Sequence, residues 1–381
     1  MTPACTNDYR ALARARLPGA LFDYIDGGAY DETTLARNTG DLAALALRQR
    51  VLNDVSTLST GTELFGQTLA MPVALGPVGM AGMYARRGEV QAARAAAGAG
   101  VPFSLSTVSV CDVAEVKAGA GTPPWFQLYM IRDRAYMADL LAAVREAGCP
   151  VLLFTVDLPA MGARYRDVRS GMSGAPSRLA SVRRALDGLA HPAWLADVFL
   201  GGRPHAFGNL IKALPDARGM AEFGPWLTRN LDPAVSWKDI EWVRSRWPGP
   251  LVIKGVLDPQ DARQAVSAGA DGLVVSNHGG RQLDGVLSGI AALPPIVQAA
   301  GDELTILMDG GVRSGLDVLK ALASGAKACL LGRAWAWPLA ARGEAGVAHM
   351  LRIVRQELKL AMMLTGCTDV RAAGRDLLVG G

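Results

Sequence analysis

The chain predicts a single α/β domain, a (β/α)₈ barrel with a helical N-terminal extension and a long insertion after the fourth strand. Three observations carry this. Eight short apolar runs recur through the 381 residues, helical patterns separate them, and no GxGxxG follows the first run to support a doubly wound sheet instead. Half of the residues are apolar and 19% are charged, ample material for a large buried core.

The runs lie at residues 71–76, 102–107, 125–130, 150–156, 250–256, 272–277, 304–309 and 328–332. Most are nearly continuous in Val, Leu, Ile and Phe, as parallel strands covered on both faces require. Between them, residues 88–98, 133–147, 259–268 and 315–324 have helical spacing, several of them starting after Asp or Ser and stopping at Gly. Residues 8–16 predict a helix that precedes the barrel and leads into 21–28. The barrel is expected over about 71–366, within one domain of residues 1–381. One interval breaks the rhythm. Between Asp157 and Trp237 the chain is rich in Pro, Gly and Arg with patchy helix signals, and about 170–232 reads as an insertion, a lid or a binding loop.

Charge and cysteine content narrow the classes of function. The net charge of +4 is dispersed, which excludes a clustered nucleic-acid footprint. Five cysteines without CxxC spacing indicate neither a disulfide framework nor a zinc site, and no metal is expected. Asp8, Arg10, Arg14 and Arg16 interrupt any signal-peptide core, and no run is long enough to span a bilayer, so membrane attachment is expected to be peripheral.

Barrels of this type carry their sites at the carboxyl ends of the strands. The polar residues ending the runs are Ser106, Thr107, Gln127, Tyr129, Thr155, Asp157, Lys254, Ser276 to Arg281, Asp309 to Arg313, and Gly332 with Arg333. The run Ser276-Asn277-His278-Gly279-Gly280-Arg281 puts an imidazole suited to proton transfer and a guanidinium suited to a carboxylate on one loop. Alternatively, His278 caps a strand and Arg281 pairs with Asp284. Asp157 could orient the imidazole or cap a helix. Lys254, between apolar neighbours, needs an anionic or electron-rich partner. Asp309-Gly310-Gly311-Val312-Arg313 and Gly332-Arg333 combine glycines with arginines at strands seven and eight, a phosphate site in preference to plain tight turns.

These residues, with Phe22-Asp23-Tyr24-Ile25-Asp26-Gly27-Gly28-Ala29, resemble the FMN-dependent 2-hydroxy-acid oxidising family over essentially the whole chain. The runs Ala46-Leu47-Arg48-Gln49-Arg50, 82–89 and 105–111 resemble its bacterial respiratory L-lactate dehydrogenases in particular. The resemblance implies FMN as cofactor, His278 as catalytic base with Asp157 as its partner, and Tyr24, Tyr129, Arg164 and Arg281 as the substrate-binding set. It implies that Pro77, Val78, Gly79, Ser106, Gln127, Thr155, Lys254 and Ser276 contact the ring and ribityl chain. Asp309, Gly310, Gly311, Arg313, Gly332 and Arg333 match the ribityl and phosphate site. The implied reaction is oxidation of L-lactate to pyruvate, with an external acceptor, a quinone or cytochrome of the respiratory chain, and oxygen as the open alternative. L-Mandelate dehydrogenation or another L-2-hydroxy-acid oxidase is the alternative, and a non-redox phosphate-binding barrel would have no need of this His, Asp and arginine set. Ala334-Trp335-Ala336-Trp337 departs from the family, where Pro often follows the Arg, so a different outer rim of the phosphate site is expected.

A homo-oligomer, with a tetramer first in mind, is the expected assembly. The insertion is expected to meet the cytoplasmic face of the bacterial inner membrane through residues 177–214. Leu179, Val182, Leu186 and Leu189 share one helical face, with Arg178, Arg183 and Arg184 available to anionic lipid. Trp194, Leu195, Phe199, Leu200, Phe207 and Trp226 are expected at the headgroup level. A lid packed on the barrel is the other reading of this segment.

Overall fold

The computed structural model describes residues 2–173, 178–214 and 220–380. Each of the eight apolar runs contains a parallel strand: β1 (Val73–Leu75), β2 (Ser104–Ser106), β3 (Trp125–Leu128), β4 (Leu152–Thr155), β5 (Leu251–Val256), β6 (Gly272–Val275), β7 (Thr305–Met308) and β8 (Ala328–Leu331). Neighbours in sequence are neighbours in the sheet from β2 to β8, β8 pairs with β1, and a bridge between Leu75 and Phe103 joins β1 to β2. The sheet therefore closes into a barrel.

The helices expected at 88–98, 133–147, 259–268 and 315–324 form as Gly88–Gly98, Arg134–Glu146, Pro259–Ser267 and Gly315–Ala323. Asp133 and Ser314 cap two of them, each accepting from a main-chain N–H three residues on. The N-terminal helix spans Thr6–Arg16, and a second helix, Gly19–Asp26, lies beyond Pro18.

Strand alternation separates two cores. Outward residues such as Leu152, Phe154 and Ile253 pack under the helices, while Trp125, Leu153, Val252, Val274, Leu307 and Leu330 fill the barrel. A short hairpin, Thr62–Leu64 with Gln67–Leu69, adds Leu64 and Leu69 to this inner core. Phe65 at its turn lies edge-on to Trp125 and against Gly272, the first residue of β6. The amino-terminal mouth is thus plugged, and the carboxyl-terminal mouth is left for ligands. Each fully buried aromatic or aliphatic side chain here stabilises by about 1.5–3 kcal/mol.

The insertion after β4 is mostly short helices, including Tyr165–Arg169, Arg178–Leu189, Gly208–Ala213 and Met220–Asn230. Its segments 174–177 and 215–219, and the side chains of Arg178 and Leu179, lie outside the described residues. Val182, Leu186 and Leu189 are exposed on one face, as the spacing predicts. Two expectations need correction. Trp194 is buried and donates its indole N–H to the Met83 carbonyl. Phe207 is buried against the barrel core. Arg184 stays exposed, as expected, but also donates to the Gly171 carbonyl at the rim of the cavity described below. Helical periodicity groups residues on a face but does not say which face meets the barrel. Among the described residues of this region, Phe199, Leu200, Ile211 and the stripe on Arg178–Leu189 keep large apolar surface outward, as do Tyr165 and Val168 on the first short helix. Among the described residues no helix is long and apolar enough to cross a membrane.

Candidate active site

Inward-facing positions recur every second residue, and following that stripe past the last strand hydrogen bonds leads directly to the chemistry. Trp125 leads to Gln127 and Tyr129, Leu153 to Thr155 and Asp157, Val252 to Lys254, Val274 to Ser276 and His278, and Leu307 to Asp309. The same parity that fills the barrel with apolar side chains aims these polar ones into its open mouth.

A cavity of about 1010 Å³ occupies that mouth. Its walls include Tyr24, Pro77 to Gly79, Tyr129, Thr155, Arg164, Lys254, His278, Arg281, Asp309 to Arg313, Gly332 and Arg333. Ser106, Gln127 and Ser276 are buried behind it: Ser276 is bonded to the wall residue Lys254, and Ser106 is bonded to Gln127 and to the main-chain N–H of the wall residue Val108. All of the sequence-derived site residues therefore converge on one place.

His278 is held on every side. Its backbone is left-handed (φ 57°), a conformation costing a non-glycine residue about 1–3 kcal/mol, and its main-chain N–H donates to Ser276 Oγ at 3.1 Å. The ring contacts Asp157 Oδ1 through Nδ1 at 2.9 Å, and its Nε2 lies 3.4 Å from the Tyr129 hydroxyl. With Nδ1–H donating to Asp157, Nε2 is left as the proton acceptor facing the cavity. Burial pushes the Asp157 carboxyl up, but the facing His278 and Lys254 outweigh it and hold the carboxyl below its ordinary value. Burial raises the Tyr129 phenol, keeping it a neutral donor.

Asp157 itself fits because Gly255 has no side chain. At φ 112° Gly255 lies so close that a Cβ would stand 2.6 Å from Asp157 Cβ and Cγ. Lys254, on the same irregular stretch of β5, finds its expected partners, Asp309 Oδ2 at 2.7 Å and Ser276 Oγ at 2.8 Å.

Arg281 does not pair with Asp284, whose carboxylate instead accepts from the main-chain N–H groups of Thr33 and Thr34. Its guanidinium stacks over the Tyr24 ring, 4.7 Å from the centroid, and donates to the carbonyls of Tyr24 and Gly27. Arg164, nearly buried, donates Nε–H to the Arg281 carbonyl at 3.3 Å. Burial, and then the charge of Arg281, lower its pKa. Two cations so placed want an anion between them.

At the far end, Gly310 and Gly311 are left-handed, and a Cβ on Gly311 would stand 2.0 Å from the Asn38 carbonyl oxygen. The helix Arg333–Thr365 starts here, so its free N–H groups and dipole face the cavity. Burial pushes the Arg313 guanidinium down to about 10, and its Cζ lies 5.0 Å from the Trp337 ring centroid. Trp337, in the run Ala334-Trp335-Ala336-Trp337, thus backs Arg313. Arg333 differs from a free anion fork: its nitrogens donate to the carbonyls of Ile25, Asp26, Gly27 and Gly279, so it tethers the helix Gly19–Asp26 and supplies charge.

The scan of the sequence missed several wall residues. Leu158, Met161, Met172, Phe207 and Asp167 line the cavity from the insertion side, where no strand end marks them. Among the described residues no cluster of metal-ligating side chains occurs.

Residues 13–380 match the model of the FMN-dependent dehydrogenase family. The chain belongs to this family. It is 59% identical over 378 residues to an L-lactate dehydrogenase of Caulobacter vibrioides (strain NA1000 / CB15N), covering 99% of this chain and 98% of that one. It is 57% identical over 374 residues to an L-lactate dehydrogenase of Azorhizobium caulinodans, with 98% of each chain covered. Among solved structures, the monotopic membrane protein (S)-mandelate dehydrogenase superposes with a TM-score of 0.93 at 34% identity, covering 100% of both chains. A mandelate oxidase superposes with a TM-score of 0.83 at 38% identity, over 99% of this chain and 98% of that one.

The cavity suits the family's cofactor. Gln127 Nε2, Thr155 Oγ1 and Asp309 Oδ1 are buried polar atoms without a partner, costly unless a ligand satisfies them. An amide donor, a hydroxyl and a carboxylate oxygen match the carbonyls, ring nitrogens and ribityl hydroxyls of FMN. The glycine-lined helix N-terminus with Arg313 matches its phosphate.

Proposed function

We propose that the protein oxidises L-lactate to pyruvate with FMN, and that His278, Asp157, Tyr24, Tyr129, Arg164 and Arg281 do the work on the substrate. The observation that carries this reading is the His278 and Asp157 pair set beside two arginines at one end of the cavity. The 57–59% identical relatives named for L-lactate favour lactate over mandelate.

Arg281 and Arg164 hold the substrate carboxylate, and the hydroxyls of Tyr24 and Tyr129 meet its oxygens, so that one face of the reacting carbon is presented. His278 Nε2 accepts the proton released on oxidation. Asp157, kept ionised, stabilises the imidazolium that results. FMN, when bound, supplies the two-electron acceptor. Pro77, Val78, Gly79, Ser106, Gln127, Thr155, Lys254 and Ser276 hold its ring and upper chain, with the Lys254 ammonium offering positive charge to the ring. Asp309, Gly310, Gly311, Arg313, Gly332 and Arg333 hold the lower chain and phosphate.

The acceptor that follows is a quinone or cytochrome of the respiratory chain. Peripheral attachment at the cytoplasmic face of the inner membrane is supported by the outward stripe Val182, Leu186 and Leu189, with Arg183 exposed beside it. A homotetramer is the proposed assembly. The test is turnover by the purified holoenzyme with an artificial one-electron acceptor. A higher kcat/KM for L-lactate than for L-mandelate supports the proposal, the reverse order replaces lactate by an aromatic substrate, and no turnover of either refutes it.

A further inference from the structure

We propose that Asp167 is a specificity-determining residue, an internal counter-ion that sets the carboxylate clamp to accept substrates of one negative charge; this rests on the hydroxy-acid reading above. Asp167 lies on the short helix Tyr165–Arg169 that leads into the insertion. It is 4% exposed, and it shares the cavity wall with Tyr24, Tyr129, Arg164 and Arg281.

Its main chain and side chain have separate tasks. The Asp167 carbonyl accepts from the main-chain N–H groups of Met172 and Ser173 at 2.8 and 3.1 Å, which fixes the turn after the helix. The carboxylate has one ion-pair contact among the described residues, Arg164 Nη1 at 4.0 Å, longer than a hydrogen bond. A carboxylate so buried is not placed there for stability by that contact. What faces it is the substrate clamp: burial pushes its pKa above the ordinary carboxylate value, Arg281 and then Arg164 oppose this, and Asp23 and Arg166 add smaller pushes of opposite sign.

Charge accounting then gives the role. Arg281 and Arg164 contribute two positive charges and Asp167 one negative, so the clamp presents one net positive charge. Of the neighbouring charges, Lys254 is paired with Asp309, and the Asp157 carboxylate is bonded to His278, whose protonation compensates it. A monocarboxylate such as lactate neutralises the clamp. A dicarboxylate leaves one negative charge uncompensated in a desolvated site, which is strongly unfavourable. Removing the charge of Asp167 leaves room for a dianion.

The test compares a monoanion with a dianion on the holoenzyme. Dissociation constants for pyruvate and oxalate are read from their perturbation of the oxidised flavin spectrum, without turnover. Asp167→Asn should raise the preference for oxalate over pyruvate by about tenfold, the size expected for one charge a few ångströms away. Asp167→Glu, which restores the charge, should return the ratio toward wild type. Equal weakening of both anions would mean that Asp167 only holds Arg164 in place, and this or an unchanged ratio overturns the proposal. If Asp167→Asn does not fold, Asp167→Ser serves in its place. A wild-type holoenzyme that L-lactate leaves unaltered refutes the hydroxy-acid reading. An unaltered anion ratio in an enzyme competent with lactate refutes only the role of Asp167.

Discussion

At the scale of single residues, the site is built from pairs in which one member fixes the state of the other. Asp157 fixes the tautomer of His278, and Gly255 makes the space for Asp157. His278→Ala should keep flavin and bind pyruvate, yet slow anaerobic flavin reduction by at least ~10²-fold in stopped flow. Gly255→Ala should approach the same defect without touching either residue. Its Cβ cannot coexist with the Asp157 side chain, so His278 loses its orienting partner. A Gly255→Ala enzyme with wild-type reduction rates would show that Asp157 can move freely, contrary to the crowding seen here. Arg281→Lys keeps the charge but loses the planar fork that rests on Tyr24, and should raise the KM for L-lactate as well as lower kcat. His278, Asp157 and Lys254 were all legible in the sequence because each ends an apolar strand. Asp167 was not, because it follows no strand and its charge has meaning only beside arginines from distant parts of the chain.

Among the elements, the helix Gly19–Asp26 ties the N-terminal extension to both ends of the cavity. Its last carbonyls accept from Arg281 and Arg333, and Gly27 accepts from both. Asp26 anchors this end, bound by Arg10 Nε at 2.5 Å and Arg166 Nη1 at 3.0 Å. Burial raises the Asp26 pKa, but the two arginines outweigh burial and hold it below 3.8. A depressed folded-state pKa means that this stabilisation is present above about pH 4 and is lost as pH falls through the lower folded value. Asp26→Asn should therefore cost about 1–3 kcal/mol at neutral pH, because Asp26 is buried and loses two charged hydrogen bonds while Arg10 is half exposed and Arg166 keeps Glu32. Its denaturant midpoint should also depend less on pH below 4 than that of the wild type.

The insertion behaves differently from its sequence pattern. Its apolar stripe is real, but Trp194 and Phe207 belong to the barrel and cavity, and Arg184 reaches the cavity rim. Excising 177–214 would thus damage the site as well as any docking surface. The cleaner test is Val182→Ser, Leu186→Ser and Leu189→Ser together, all on exposed positions. Sedimentation with anionic vesicles should fall by at least ~10-fold, with each lost apolar contact worth up to about 1.5 kcal/mol, while flavin reduction by L-lactate survives. Unchanged vesicle binding would remove the membrane role from this helix.

For the whole molecule, the barrel was legible because buried parallel strands are nearly continuous apolar runs, and all eight lie inside the predicted intervals. The hairpin that plugs the barrel was not. Thr62–Leu64 and Gln67–Leu69 are three residues each and largely polar, and their value comes from inserting Leu64, Phe65 and Leu69 into a mouth that only the closed fold creates. The central claim, that this mouth oxidises one enantiomer of a small 2-hydroxy acid with FMN, is tested most directly by the visible spectrum of the purified holoenzyme without oxygen. L-Lactate should bleach the flavin fully while D-lactate leaves it yellow, because the arginine clamp and His278 address one face of the carbon. A flavin that neither enantiomer bleaches, or that both bleach at equal rates, would contradict the account.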